Sequence, residues 1–131
     1  MSKTSDNDRF SALFETAHVA GMRAGTEVGV TPMIVGTPDG AGGVDTSKKT
    51  YFVPDGVCGF ASIVISPARG KFVTYLKRHD LGRVMSSGRG CWIWCGEFNQ
   101  SLTRKTAYCS AFADVLSEAG IKGVRIDSRM D

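Results

Sequence analysis

Residues 98–131 have the sequence FNQSLTRKTAYCSAFADVLSEAGIKGVRIDSRMD, which predicts an amphipathic helix followed by a closing strand. Asn99 or Ser101 is suited to cap this helix at its start, and Gly120 is suited to end it. Apolar residues recur between these ends at a spacing of three and four, the spacing of one buried helix face. They are Ala107, Tyr108, Ala111, Phe112, Val115, Leu116 and Ala119.

Cationic and polar side chains stand at the start of this helix. Arg104 falls within the apolar stripe, with Ser101 and Lys105 nearby. The unpaired N–H groups of a helix N-terminus, together with such side chains, suit a phosphate or carboxylate. Two interpretations are open. Arg104 binds an anion, or it lies along the edge of the core and reaches solvent or a carboxylate such as Asp127.

The residues after Gly123 alternate in the pattern of a half-buried strand. One face of this strand carries Arg125, Asp127 and Arg129. If this face and the start of the helix converge, up to four cationic side chains surround one place. Otherwise the strand is an ordinary charged edge of the sheet.

The length of 131 residues and the hydrophobic content of 42% predict one domain spanning 1–131, with residues 1–5 as a loose tail. No apolar run approaches the roughly 20 residues that span a bilayer, and the N-terminus does not resemble a signal peptide. We therefore expect a cytosolic protein without a membrane partner. The four cysteines and two histidines lack the spacing of a metal site, so neither a metal nor another cofactor is expected.

Positive charge is concentrated in residues 69–89, which carry six Lys or Arg residues and one Asp. Such a local concentration favours one anion-binding surface over a uniformly basic coat, and a solvated loop face is the alternative. The segment ends with Arg89 among small residues, a composition suited to contact with an anion.

The order of the predicted elements is α-β-β-β-α-β-α-β, which fits an α+β fold of two layers. We expect one mixed, mainly antiparallel sheet of five strands, with three helices packed chiefly on one face. The strand at 57–65 is apolar on both faces and should be central. The five strands are predicted at 32–35, 49–53, 57–65, 91–95 and 124–130.

Turn-forming residues punctuate the first half of the chain. The first helix is predicted to begin at Asp6 or Asp8 and to end between Gly25 and Gly29, and Ser66 is predicted to cap the second helix. Residues 36–47 are rich in Gly and Asp, which predicts a mobile loop, and they contain no phosphate-binding motif.

The apolar face of the first helix carries only small residues in its second half, namely Ala17, Gly21 and Ala24. Such a face permits the close approach of another backbone. That backbone belongs either to this protein's own sheet, which is favoured, or to the same helix of a second subunit in a homo-oligomer.

Trp92 and Trp94 share one face of a predicted strand. Neighbouring indoles form either a core layer beneath helices, which is slightly favoured here, or a platform on which a base or sugar stacks. Phe60 is a third candidate ring. The amides of Asn99 and Gln100, at the bend before the last helix, are suited to read the hydrogen-bonding edge of a ligand.

A widespread family of small proteins encoded by tailed bacteriophages and prophages is similar to this chain in four segments: YFVPDGVCGFASIVI (51–65), CWIWC (91–95), FNQSLTRKTAYCSAFADVLSEAGI (98–121) and DSRMD (127–131). The resemblance covers about residues 51–131. It implies a phage context and expression in a bacterial cytosol, and it brings no established activity. Small phage proteins often inhibit host defence by acting on a host protein, a nucleic acid or a nucleotide second messenger.

The residues and the resemblance together predict a binding protein that captures an anionic, nucleotide-type ligand, such as a host-defence signalling molecule. In this hypothesis cations hold the phosphates, rings stack on a base, and amides or a carboxylate read its edge. The predicted ligand-binding residues are Phe60, Arg89, Trp92, Trp94, Asn99, Gln100, Ser101, Arg104, Lys105, Arg125, Asp127 and Arg129.

Two other functions compete with ligand capture. One is an inhibitor that binds nucleic acid or a host protein through the basic residues 69–89. The other is a small nucleotide-cleaving enzyme with Asp127 or His79 as its base. The sequence contains neither paired carboxylates nor a recognisable nucleophile and base, which makes the enzyme the least favoured of the three.

Overall fold

The computed structural model describes residues 3–29, 33–35, 40, 51–53, 58–84, 90–98 and 101–130, which form an α+β fold. The described helices are α1, Lys3–Glu27; α2, Lys71–Arg78; and α3, Leu102–Glu118. The described strands are β1, Met33–Val35; β2, Tyr51–Val53; β3, Gly59–Ile65; β4, Arg83–Val84; β5, Cys91–Trp94; and β6, Val124–Met130.

Four of these strands form an antiparallel sheet in the order β4-β5-β3-β6. β3 lies between two partners, which confirms the central position that its two apolar faces predicted. Its residues from Ala61 to Ile65 are each at most 2% exposed. The sheet is therefore antiparallel and four-stranded, and the prediction of one mixed five-stranded sheet was wrong.

β1 and β2 lie outside this sheet and pair only with each other among the described strands. β6 pairs with all of Gly59–Ile65 on one side of β3, and β5 pairs with Ser62–Ile65 on the other, which leaves little of β3 for β2. Cys58 bridges to Ser101, which occupies the remaining position beside the start of β3. The loop predicted at 36–47 lies outside the described residues, apart from Gly40.

β4 was not predicted, so the observed order is α-β-β-β-α-β-β-α-β rather than the order given by the sequence pattern. Arg83 and Val84 pair with Trp92 and Cys91 of β5. A strand of two residues shows no alternation in a sequence, which is why this segment had the pattern of a cationic loop.

The three helices pack on one face of the four-stranded sheet, as predicted. Ile63 and Ile93 from the sheet and Phe112 and Leu116 from α3 are each at most 4% exposed and belong to one apolar cluster. α1 and α2 join this cluster through the edge-to-face pair of Phe10 and Phe72, whose ring centroids are 5.3 Å apart. None of the described helices is long and apolar enough to cross a membrane.

The small-residue face of α1 is covered by α3 of the same chain. Ala17 is fully buried, and a Cβ atom built on Gly21 would lie 2.6 Å from the ring of Tyr108. A Cβ on Gly25 would lie 2.4 Å from the ring of Phe98. This face therefore packs within the chain, as favoured, but against α3 and not against the sheet that was expected.

α3 begins and ends at the predicted capping residues. Ser101 is the N-cap, and its hydroxyl accepts a hydrogen bond from the Arg104 backbone N–H at 3.3 Å. Gly120 has φ +94°, and the Ile121 N–H donates to the Leu116 carbonyl, the pattern of a Schellman motif. The helix that carries the candidate cations is thus held firmly at both ends.

α2 begins later than predicted, after Gly70 rather than after Ser66. The Ser66 N–H donates to the Gly123 carbonyl at 2.9 Å, which continues the pairing of β3 with the segment before β6. Since that N–H is occupied by the sheet, Ser66 does not cap a helix. α1 also differs from its prediction, because it begins at Lys3 and includes residues assigned to the tail.

Candidate functional site

The face of the four-stranded sheet that points away from the helices carries rings and charges, and we call it the outer face. Successive side chains of a strand point to opposite sides, and directly paired residues of antiparallel strands share a side. The members of the outer face are Arg83 of β4; Trp92 and Trp94 of β5; Phe60, Ser62 and Val64 of β3; and Arg125, Asp127 and Arg129 of β6.

Strand pairing arranges these residues in three rows across the sheet. Neighbouring strands are about 4.8 Å apart, so the two arginine backbones at the ends of the first row are roughly 14 Å apart. Rings and uncharged side chains lie between cations in this arrangement. The rows are Arg83, Trp92, Val64 and Arg125; then Trp94, Ser62 and Asp127; then Phe60 and Arg129.

The two tryptophans stack on each other on this face. Their ring centroids are 5.5 Å apart with an interplanar angle of 24°, and Trp94 is 48% exposed. Cys91 and Ile93, the alternate residues of β5, face the helices instead. The slightly favoured interpretation of a core layer beneath helices was therefore wrong, because the helices cover the opposite side of this strand.

Cations lie against the rings of the outer face at cation–π distances. The guanidinium carbon of Arg125 is 5.9 Å from the ring centroid of Trp92, and that of Arg129 is 5.8 Å from the centroid of Phe60. The Phe60 ring is 38% exposed. A planar anionic ligand would thus meet a ring and a positive charge together.

Ser62 lies in the middle row between Trp94 and Asp127. It is fully buried, and its hydroxyl has no hydrogen-bond partner among the described residues. An unpaired buried hydroxyl costs roughly 1 to 3 kcal/mol, so this oxygen gains from any donor or acceptor brought next to it.

A pocket of about 410 Å³ opens beside the tryptophans at the β4 edge. Its lining includes Asp80 and Arg83, which sequence reasoning did not select as site residues. Asp80 has φ +57° at the turn that follows α2, and Arg83 pairs directly with Trp92. The usable signal was one arginine within the cationic segment 69–89, which was too weak to place it beside the rings. The lining residues are Asp80, Leu81, Gly82, Arg83, Trp92 and Trp94.

The guanidinium of Arg104 binds backbone carbonyls at the end of α1. Its guanidinium Nη1 donates to the carbonyls of Gly25 and Thr26 at 2.9 and 3.0 Å, in the last turn of α1. These carbonyls lack partners within the helix, and a cation is favourable at a helix C-terminus. Neither open interpretation included this contact, because the acceptor lies 79 residues away in the sequence.

Ser101 and Lys105 are also buried at the start of α3. Ser101 is 1% exposed and caps the helix, while Lys105 is 5% exposed and donates to the Gly59 carbonyl at 3.4 Å. The Lys105 ammonium also lies 5.4 Å from the Phe60 centroid. The start of α3 therefore supports the first residues of β3 and places the Lys105 ammonium beside a ring of the outer face.

The remaining predicted residues are not brought to one place in the part of the chain that the structure describes. Arg89, Asn99 and Gln100 lie outside the described residues. His79 hydrogen-bonds to Asn7 at 2.8 Å in the helix layer, on the opposite side of the sheet from the Asp127 that was its alternative as a base.

The basic segment 69–89 does not form a single surface among its described residues. Lys71 lies on α2 and pairs with Asp6 of α1 at 3.7 Å. Lys77 and Arg78 follow in the last turn of the same helix, whereas Arg83 lies on the outer face. A hollow of about 440 Å³ between α1 and α2 is lined by both Asp6 and Lys71, and a second of about 510 Å³ is lined by Lys71 without Asp6.

Two cysteines meet beneath the sheet. The thiol of Cys109 on α3 hydrogen-bonds to that of Cys95, which raises the pKa of Cys109 and lowers the pKa of Cys95. Burial raises the pKa of Cys91. The described residues contain no group of three His, Cys, Asp or Glu side chains placed to hold a metal ion.

No family model, curated protein or solved structure matches this chain. The resemblance to phage proteins therefore stays a prediction, and a proposal about function depends on the geometry of the outer face.

Proposed function

We propose that this protein binds an anionic, nucleotide-type ligand at the β4 end of the outer face. The observation that carries the proposal is the stacked pair of Trp92 and Trp94, which lies on the side away from the helices with Arg83 next to it. A base would stack on the exposed ring of Trp94, and a phosphate would bind Arg83.

The energetics of stacking support this assignment. An indole that is 48% exposed retains much of its ring surface for a ligand, and its partner Trp92 holds it in a fixed orientation. Stacking of one base on an aromatic side chain contributes about 1 to 3 kcal/mol. The pocket of about 410 Å³ beside these rings is within the volume range of small-molecule sites, roughly 300 to 1,000 Å³.

The charges around the pocket set the orientation of the ligand. Arg83 offers a guanidinium that suits a phosphate in a bidentate contact, and Arg125 ends the same row on the far side of Trp92. Asp80 lines the pocket and repels a phosphate, but its carboxylate accepts hydrogen bonds from an amino group or a ribose hydroxyl. We therefore expect the phosphate at Arg83 and the polar edge of the base or sugar towards Asp80.

Calorimetry against a panel of cyclic dinucleotides, ADP-ribose derivatives and mononucleotides tests the proposal. The resemblance to phage proteins makes signalling nucleotides the first members of the panel. We expect at least one member to bind with a Kd below about 1 μM, together with a change in tryptophan fluorescence. If no member binds more tightly than that, the proposal of nucleotide capture fails.

Matched variants locate the site. Trp94→Ala should weaken binding about 5- to 150-fold, which corresponds to the loss of one stacking contact. Arg83→Gln should weaken the binding of phosphorylated ligands, whereas Arg78→Gln, an exposed arginine on α2, should leave binding unchanged. If Arg78→Gln weakened the binding of phosphorylated ligands as much as Arg83→Gln does, the anion would be placed on the α2 surface instead.

A single-stranded nucleic acid is a second candidate ligand for the same face. It is favoured by Phe60, a further exposed ring that lies beside Arg129 one row beyond Trp94. A single strand that contacts both rings would also contact several cations. Its affinity would then fall steeply with salt, with a slope of log K against log salt of about −0.7 per phosphate contact. A small nucleotide with one or two phosphates would show a much shallower dependence.

A further inference from the structure

The strand β6 forms one edge of the four-stranded sheet, opposite the edge that carries the proposed ligand site. All seven of its residues pair with β3 on the inner side. No strand pairs with its outer side in the part of the chain that the structure describes. Such an edge presents backbone N–H and C=O groups with which another strand can pair.

The charges along this edge alternate in sign. Arg125, Asp127, Arg129 and Asp131 follow one another at every second position of the sequence. The three that belong to β6 lie on the outer face, and none of them forms an ion pair with another described residue. The guanidinium groups of Arg125 and Arg129 lie against the rings of Trp92 and Phe60, so a partner strand would have to draw them towards the edge.

The alternation makes the strand complementary to a second copy of itself. When two copies run antiparallel about a two-fold axis at Ser128, Asp127 of one lies opposite Arg129 of the other, twice. An axis one residue earlier, at Asp127, would instead place Arg125 opposite Arg129. Opposite charges across a strand pair stabilise it and like charges destabilise it, so the charges favour the axis at Ser128 over the axis at Asp127. An axis at Ile126, where Asp127 meets Arg125, satisfies the charges as well.

The apolar side chains on the opposite side of β6 favour the axis at Ser128. Met130 is 69% exposed, and Ile126 is partly buried against the core. With the axis at Ser128, each Met130 lies opposite an Ile126 of the other copy. Pairing would therefore cover the most exposed large apolar side chain among the described residues.

We propose that a second copy of this chain pairs with the first through β6, antiparallel and about an axis at Ser128. The product is a homodimer with one continuous eight-stranded sheet. A two-fold axis of this kind makes the interface isologous, with each residue used in the same way in both copies. The two outer faces join, and the two pockets at the β4 edges lie at opposite ends of the dimer.

The first experiment measures the mass of the full chain in solution by sedimentation equilibrium over a range of concentrations. We expect a monomer–dimer equilibrium that shifts towards the monomer as salt is added, because exposed charge pairs are screened. A chain that remains monomeric at about 100 μM has a dimer Kd weaker than that value, and this result would overturn the proposal without recourse to any variant.

Charge exchange tests the register. Asp127→Arg alone and Arg129→Asp alone each place two like-charged pairs across the axis, and each should raise the dimer Kd at least about tenfold. A mixture of the two variants restores opposite charges at all four positions, so it should form a heterodimer. The double variant Asp127→Arg, Arg129→Asp should again form a homodimer.

Asp114→Arg, on the exposed side of α3, is the control and should not change the dimer Kd. Circular dichroism of each variant shows that it is folded. A dimer that survives both single exchanges, or a mixture that stays monomeric, would place the interface elsewhere and refute the pairing through β6.

Discussion

Gly21 sets how closely α1 can approach α3. A Cβ atom at this position would lie 2.6 Å from Cδ2 of Tyr108, a residue that is only 5% exposed. In an open helix position, alanine would be favoured over glycine by about 1 kcal/mol. Here the buried ring occupies the space that a methyl group needs, so packing opposes propensity.

We therefore expect Gly21→Ala to lower the free energy of unfolding by about 1 to 2 kcal/mol, since forced overpacking costs about 1 to 3 kcal/mol. Urea denaturation measures this change. Gly29→Ala is the control, because a Cβ there would meet no atom within 4 Å, and its effect should stay within about 0.5 kcal/mol. A stabilised Gly21→Ala variant would show that helix propensity outweighs the contact.

The buried hydroxyl of Tyr108 makes the stability of the helix layer depend on pH in the alkaline range. Its hydroxyl lies 2.6 Å from Nδ1 of His18, and burial, followed by the nearby Cys95 and Cys109, raises its pKa. An unfolded tyrosine loses its proton near pH 10, whereas the folded one retains it at higher pH. Above about pH 10 the unfolded state thus binds fewer protons, and the free energy of unfolding falls as pH rises.

This coupling predicts a difference between wild type and Tyr108→Phe. The wild-type protein should lose up to about 1.4 kcal/mol of additional stability per pH unit above pH 10, and the variant should not. Urea denaturation from pH 8 to pH 11 measures both curves, and titration of the cysteines contributes to each of them. Curves that stay parallel over this range would contradict the raised pKa.

At the level of elements, sequence periodicity predicted the long segments well. β3, β6 and α3 carry apolar residues at a regular spacing over seven residues or more, and their bounds agree with the prediction within about two residues. Segments whose limits depend on distant partners were placed less well. Ser66 has the composition of a helix cap, but its N–H is occupied by Gly123, 57 residues later in the sequence.

Arg104 shows the same limit for a site residue. Its place within the apolar stripe of α3 was read correctly, yet its acceptors belong to the last turn of α1. A pattern within one helix contains no information about which other helix ends beside it. The guanidinium therefore had the appearance of an anion site in the sequence, and the structure shows it joining two helices.

We expect Arg104→Gln to lower the free energy of unfolding by about 1 to 3 kcal/mol, because two helix-end carbonyls lose a charged donor. Nucleotide affinity should not change, since the residue is absent from the pocket at the β4 edge. Thermal melts and calorimetry on one preparation measure both. Arg23→Gln, an exposed arginine on α1, is the control. Lost affinity with an unchanged melting temperature would return Arg104 to the ligand site.

At the scale of the whole molecule, the order of elements predicts the two-layer arrangement. It does not predict which face of the sheet the helices cover. Alternation places Trp92 and Trp94 on one side of β5 and Cys91 and Ile93 on the other. Both sides are apolar enough to receive helices. Three strands together decide which face the helices cover. Ile63 and Ile126 lie on the same side of the sheet as Ile93, whereas the charged residues of β6 lie on the side of the tryptophans.

Truncation of two neighbouring residues of β5 should therefore change the free energy of unfolding by different amounts. Ile93→Ala should lower the free energy of unfolding by about 2 to 5 kcal/mol, because this side chain is 4% exposed beneath the helices. Trp94→Ala removes a larger side chain, but one that is 48% exposed and whose loss leaves no enclosed cavity, so it should cost less than Ile93→Ala. Urea denaturation of both variants measures the contrast.

The same layering predicts that acrylamide quenches the fluorescence of the native protein, and that Trp94→Ala removes most of the accessible emission. Because the fold of this variant should survive, any loss of nucleotide binding can be assigned to the ring itself. If Trp94→Ala instead costs as much stability as Ile93→Ala, the indole is a core residue. The outer face would then lose the exposed ring on which nucleotide binding depends.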